Sequence, residues 1–99
     1  LKNLPDSLEK LAIGNMFNQV LPPLPKSLRF LILGDSFDKP IEEYPESLTH
    51  VKFGKSFNQF INNLPKGLTH LSFSKDSCFN QLVDKLSSIR FSRIGYLVK

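Results

Sequence analysis

Two histidines, His50 and His70, are the side chains whose type and spacing most directly suggest chemistry. They lie 20 residues apart, and on adjacent strands their imidazoles would be about 5 Å apart. Two imidazoles could share a zinc ion, but such a site needs further ligands. Cys78, the single cysteine, falls in a loop beyond the strand. We therefore predict no metal site and no cofactor.

The same residues do not form a catalytic set. Nucleophilic catalysis needs a hydroxyl or thiol, a histidine and a carboxylate that converge in a cleft. The sequence has no nucleophile-elbow motif and no glycine-rich run that could cradle a phosphate. Its regularly spaced glycines, Gly14, Gly34 and Gly54, are expected to serve a backbone dihedral. We predict that the protein is not an enzyme.

Both histidines belong to a repeat of 20 residues, and this repeat must position them. Four apolar positions recur in each copy, and the first of them is always followed by proline. They are Leu4, Leu24, Tyr44 and Leu64; Leu8, Leu28, Leu48 and Leu68; Leu11, Leu31, Val51 and Leu71; and Ile13, Leu33, Phe53 and Phe73. In the fourth copy a two-residue insertion around 75–78 delays the aromatic residue that follows.

The spacing predicts a solenoid of the leucine-rich-repeat type. The last two apolar positions of each copy are two residues apart, so they face one side of a short strand. Stacked in register, the copies form a parallel sheet of about five strands. The short coil and its prolines favour an extended, polyproline-like or 3₁₀ return side, with little or no α-helix. Residues 80–89 are left open, because Leu82, Val83 and Leu86 fit both a helix and the repeat.

We expect one solenoid domain over residues 1–99. Its expected parts are a partial coil at 1–3, repeats at 4–23, 24–43, 44–63 and 64–85, and a degenerate C-terminal cap at 86–99 that carries the fifth strand at 94–98. Leu1 stands in the middle of a coil. A piece of a longer array is therefore expected, with possible self-association through its exposed ends.

Two neighbouring series keep their chemistry from copy to copy. They are Phe17, Phe37, Phe57 and Phe79, and the residues that follow them, Asn18, Asp38, Asn58 and Asn80. Aromatic rings in identical phase indicate a stacked core spine. The asparagines are expected to satisfy backbone groups of the turn in their own and the neighbouring coil. We interpret both series as structural ladders.

The outward positions of the strands vary instead. They are Lys10, Phe30, His50, His70 and Tyr96 in one ladder, and Ala12, Ile32, Lys52, Ser72 and Val98 in the next. Variation on one exposed face is typical of a recognition surface, and exposed apolar side chains there require a reason. The predicted partner-binding residues are Lys10, Phe30, Ile32, His50, Lys52, His70, Ser72 and Tyr96.

Composition limits the other partners and the location. The net charge of +4 is scattered, so nucleic acid is not favoured. The sequence has no apolar run of the roughly 20 residues that span a bilayer, and its first residues are not expected to act as a signal peptide. With a single cysteine, we expect a cytoplasmic protein without a membrane partner.

The combined pattern L-P-x-S-L-x-x-L-x-[IF]-G-x-x-F-N-Q resembles the FNIP repeat, a relative of the leucine-rich repeat found in social amoebae and giant viruses. It recurs four times over residues 1 to about 83, although Asp38-Lys39 departs from the Asn-Gln pair. The resemblance implies a protein-interaction array in a host cytoplasm or, if viral, in a virion. It also leaves open a structural or assembly component, for example of a giant-virus particle, or the substrate-recognition part of a ubiquitin-ligase adaptor.

A second resemblance is to the 20-residue leucine-rich repeat of bacterial effectors. That repeat carries a similar L-P-x-x-L-x-x-L-x-[VI] pattern, which Leu21-Pro22-Pro23-Leu24-Pro25 would suit. It expects an asparagine three residues after the last apolar position of each copy. Met16, Ser36 and Ser56 stand there, so we favour the FNIP interpretation.

Overall fold

A computed structural model of the chain describes residues 3–61 and 64–79 and the backbone of 90–91. The described residues form strands and turns, with no helix. The strands are β1 (Lys10–Ala12), β2 (Phe30–Ile32), β3 (His50–Phe53), β4 (His70–Phe73) and β5 (Arg90–Phe91). They pair in parallel, in chain order, in one open sheet. The predicted solenoid is confirmed, and the question of a helix at 80–89 lies outside the described residues.

Each coil changes direction at two β-turns. In the first turn the N–H of Leu28 donates to the carbonyl of Pro25 at 3.1 Å, and Leu8, Leu48 and Leu68 do the same with their own prolines. The residue before each proline is kept extended because helical backbone there would clash with the proline ring. The second turn follows the strand, where the N–H of Phe37 donates to the carbonyl of Gly34 at 3.4 Å. These turns return the chain to the sheet without a helix.

One apolar stack runs through the coils. The inward side chains of adjacent coils contact each other, and those of the middle coils are almost fully buried, including Leu28, Leu31, Leu48, Val51, Leu68 and Leu71. Burying such a side chain contributes about 1.5 to 3 kcal/mol relative to leaving it exposed. Stability therefore depends on contacts between coils, because no coil encloses a core alone.

Two of the repeated glycines, Gly34 and Gly54, act through packing, and the expectation that the series serves a backbone dihedral was wrong. None of them has a positive φ. A Cβ on Gly34 would lie 2.7 Å from the carbonyl carbon of Gly14, and a Cβ on Gly54 would lie 2.6 Å from that of Gly34. Both distances are shorter than real Cβ atoms allow. Glycine is therefore needed because the backbones of successive coils approach closely here.

The fourth coil departs from this packing where Ser74 replaces the glycine. Pairing between β3 and β4 continues to Phe53 and Phe73, and the N–H of Ser74 donates to the carbonyl of Phe53 at 3.0 Å. The predicted insertion follows in the same turn. The N–H of Cys78 donates to the carbonyl of Lys55 at 3.1 Å. In the previous coil the equivalent bond runs from the N–H of Ser56 to the carbonyl of Asp35, so the donor in the fourth coil comes two residues later in its repeat.

The fifth strand differs from the prediction. Arg90 pairs with His70 and Phe91 with Leu71, so Arg90 takes the position in the ladder that was assigned to Tyr96. The sequence between Phe79 and Arg90 is two residues shorter than the sequence between Phe57 and His70. This shortening offsets the two-residue insertion, so the register of the sheet is restored at Arg90. Residues 94–98, with Tyr96 and Val98, lie outside the described residues, as does Asn80.

Candidate partner-binding face

The outward side chains of β1 to β4 form two straight rows, which we call the sheet face. It comprises Lys10, Ala12, Phe30, Ile32, His50, Lys52, His70 and Ser72. The register aligns them across the strands as predicted. Phe30 and Ile32 were expected to be exposed, but both are half-buried, because side chains of the adjacent coils flank them. Lys10 and Lys52 are exposed.

Three rings form a continuous platform along the first row. The centroids of Phe30 and His50 are 4.7 Å apart, and those of His50 and His70 are 4.1 Å apart with their planes only 4° from parallel. The spacing of parallel strands, about 4.8 Å, imposes this arrangement. Because the rings stack on one another, the row presents their edges, including the imidazole nitrogens, to the outside.

Threonines hold the two imidazoles in place. Thr49 Oγ1 lies 2.8 Å from His50 Nδ1, and Thr69 Oγ1 lies 2.8 Å from His70 Nδ1. Each hydroxyl also reaches the carbonyl of the residue one coil earlier, Arg29 at 3.2 Å and Thr49 at 3.3 Å. These contacts hold each of the two rings in one orientation. The recurring Thr-His dipeptide was the signal for this pairing in the sequence.

The electrostatics of the face are cationic and depend on pH. Desolvation between its neighbours lowers the pKa of His50, and the positive charges of His70 and Arg29 lower it further. The folded protein therefore disfavours the protonated form of His50. The eight residues of the sheet face include no carboxylate, so Lys10 and Lys52 set its charge.

The geometry offers little to a metal ion. Parallel imidazoles direct their in-plane lone pairs side by side instead of towards one point, and among the described residues no three His, Cys, Asp or Glu side chains are grouped for a metal. The thiol of Cys78 is exposed and contacts the carbonyl of Lys55 at 3.3 Å, in the turn after β4.

The phenylalanine series forms a spine inside the coils. Successive rings are stacked with centroids 6.4, 6.1 and 6.2 Å apart and planes within 9° of parallel, from Phe17 through Phe37 and Phe57 to Phe79. Phe37 and Phe57 are buried. Phe53 adds a second layer, since its ring centroid lies 3.9 Å from that of Phe57. This spine holds the turns beside the strands in register.

The Asn and Asp residues next to the spine link successive coils. The N–H of Asp38 donates to Asn18 Oδ1 at 2.8 Å, and the N–H of Asn58 donates to Asp38 Oδ1 at 2.9 Å. Gln59 Nε2 also donates to Asp38 Oδ1 at 2.9 Å. These bonds use a side-chain oxygen, which Asn and Asp share. The departure from asparagine at position 38 is therefore chemically conservative.

Two further ladders were missed in the sequence. Asn15 Oδ1 accepts the N–H of Asp35 at 3.1 Å, and Asp35 Oδ1 accepts that of Lys55 at 3.2 Å. Elsewhere Ser27 Oγ and Ser47 Oγ donate to carbonyls of the previous coil, both at 2.6 Å. The recurrence of Asx at one phase and serine at another was the available signal. Strand periodicity does not report on turn side chains, so it could not reveal them.

Comparison with known proteins agrees with this architecture. The family model described as the FNIP repeat matches residues 17–44 and 42–76. No curated protein and no solved structure gives a match. Within the described residues, no helix is long and apolar enough to cross a membrane. Because the two family matches span more than half of the sequence and follow the stacked coils described above, the chain belongs to the FNIP repeat family.

Proposed function

We propose that this FNIP repeat array is a binding module that holds a protein partner against its sheet face and catalyses no reaction. The observation that carries the proposal is the contrast between two rows of varied side chains and the uniform ladders beneath them. The spine keeps phenylalanine from Phe17 to Phe79, and the residues beside it keep a side-chain oxygen that bonds the next coil. Those of the sheet face change from lysine to phenylalanine to histidine along a single row.

The chemistry of the face favours a particular kind of partner surface. The platform of Phe30, His50 and His70 suits an apolar or aromatic side chain, since large flat groups at the centre of an interface supply most of its binding energy. Lys10 and Lys52 border the face without a carboxylate among its residues. A partner with an apolar centre and an acidic margin therefore fits best.

Alanine variants of the platform test this function. Phe30→Ala and His50→Ala should each weaken capture of the partner by the full-length protein by about 1 to 2 kcal/mol. Because Phe30 is half-buried, its replacement should also lower the thermal midpoint slightly. Phe57→Ala is the contrasting control, since loss of a buried spine ring should unfold the array.

Two results would decide the question. Loss of binding in a folded Phe30→Ala or His50→Ala variant supports the sheet face. If both variants bind the partner like the parent and changes on the return turns abolish binding, the face is not the recognition surface. An assembly role through the edges of the coils would then replace it.

A further inference from the structure

On the return side, opposite the sheet, a groove lies between the second and third coils. It has a volume of about 740 Å³ and is lined by the segments 20–24 and 40–47, together with Lys26. Val20, at one end, is 69 % exposed. Grooves of this size, mostly apolar with a few polar groups, are typical ligand sites. It shares no residue with the sheet face.

A buried hydroxyl lines this groove and has no partner within the described residues. Tyr44 replaces the leucine that begins the other coils, and only 8 % of its surface is exposed. Its burial raises the pKa of the phenol well above the ordinary value, so the hydroxyl stays protonated as a donor. A buried polar group without a hydrogen bond is unfavourable by about 1 to 3 kcal/mol. Leucine would avoid this penalty, so packing alone does not explain tyrosine here.

The charge at the groove is the second observation. Glu42, Glu43 and Glu46 line it and are exposed, with Lys26 as the single cation there. This local excess of negative charge stands in a chain with a net charge of +4. The electrostatic preference of the groove is therefore opposite to that of the rest of the protein, and it favours a cationic ligand.

We propose that the groove binds an extended peptide segment that carries arginine or lysine beside an apolar residue. The Tyr44 hydroxyl donates to a backbone carbonyl of the peptide, and the three glutamates receive its cationic side chains. The apolar residue packs on Val20 and the prolines at 22 and 23. Extended peptides present unpaired carbonyls at regular intervals, which suits a single buried donor.

The test is a fluorescence-anisotropy titration with a labelled synthetic peptide of arginine, proline and leucine, alongside a matched peptide with glutamate in place of arginine. The arginine peptide should bind the parent, and its affinity should fall as salt rises. Tyr44→Phe keeps the ring and should weaken binding at least about fivefold, the value of one hydrogen bond. Glu43→Gln with Glu46→Gln should weaken binding without loss of fold. Glu9→Gln, which neutralises an exposed carboxylate outside the groove, should not change binding.

Thermal melting of Tyr44→Phe gives an independent readout. Removal of an unpaired buried hydroxyl should raise the midpoint of the ligand-free protein, and added arginine peptide should stabilise the parent more than the variant. A lowered midpoint would mean that the hydroxyl is already satisfied inside the protein, which overturns the proposal. Equal binding of the arginine and glutamate peptides, or no binding to the parent, also overturns it. Self-association that is lost in Tyr44→Phe would assign the groove to a second copy of the chain instead.

Discussion

At the scale of single residues, this fold is held by side-chain atoms that bond the backbone of the neighbouring coil. Asp38 is the clearest case, because its Oδ1 accepts both the N–H of Asn58 and the amide of Gln59. The ladder requires an acceptor oxygen at each step and does not require an amide. This explains how one copy can carry aspartate where the others carry asparagine.

A pair of variants at position 38 tests that requirement. Asp38→Ala removes the acceptor and should lower the free energy of unfolding by about 1 to 3 kcal/mol. Asp38→Asn keeps Oδ1 and should stay within about 0.5 kcal/mol of the parent. Urea denaturation of the three proteins measures both values. Equal midpoints for the alanine and asparagine variants would show that the charge, and not the acceptor, is what matters.

The His50 ring gives a prediction for pH. Because the folded protein holds the pKa of His50 below its ordinary value, the unfolded chain binds a proton first as the pH falls. The parent should therefore keep its full stability above about pH 6.5 and lose part of it below that value. His50→Gln should lack this component. Urea midpoints of both proteins between about pH 7.5 and about pH 5.5 measure it, and a difference that is constant over this range would contradict the assignment.

At the scale of the elements, close contact between backbones sets the coil spacing. Gly34 and Gly54 lie where any Cβ would meet the carbonyl group of the preceding coil, whereas a Cβ on Gly67 would meet Glu46 at an ordinary 3.7 Å. All three positions carry glycine, but only Gly34 and Gly54 lack the space for a Cβ. Only the first two are predicted to be irreplaceable.

Alanine substitution separates these glycines. Gly34→Ala should destabilise the protein by about 1 to 3 kcal/mol or more, because two coils must move apart to admit the methyl group. Gly67→Ala should be neutral or stabilise by up to about 1 kcal/mol, since alanine restricts the unfolded chain. Thermal melting of both variants suffices. A mild effect at Gly34 would mean that the coils are packed less closely than described.

The elements also show what the sequence can and cannot predict. The phase of the repeat predicted β1 to β4, the strand register and the phenylalanine spine, because each depends on a period that is visible in the residues. The same period failed at the fifth strand, where Ile94 to Val98 have a better apolar pattern than Arg90-Phe91. The strand at Arg90 is defined by backbone pairing with β4, and its position depends on the shorter segment that offsets the insertion. Neither feature is visible in the spacing of apolar residues.

The candidate sites show the same limit. The rows of the sheet face could be listed from alternation along the strands, but the partial burial of Phe30 depends on its neighbours in three dimensions. The groove with Tyr44 was not predicted at all, because its lining comes from two return segments without strand periodicity. Its only trace in the sequence is tyrosine at a position that is leucine in the other coils.

At the scale of the whole molecule, the proposed function assigns folding and recognition to different side chains. Bonds between coils and the apolar stack maintain the shape, while the sheet face is free to vary. The face is cationic and the return groove is lined by carboxylates, so the two surfaces favour ligands of opposite charge.

The central claim, that the sheet face binds the protein partner, is tested most directly by a pair of charge reversals. Lys52 is exposed on β3, and Lys66 is exposed on a turn outside the face. Titration of the captured partner should show that Lys52→Glu weakens binding by at least about tenfold, less so at high salt, with an unchanged melting midpoint. Lys66→Glu should stay within about twofold of the parent. Equal affinities for the two variants would contradict recognition through the sheet face.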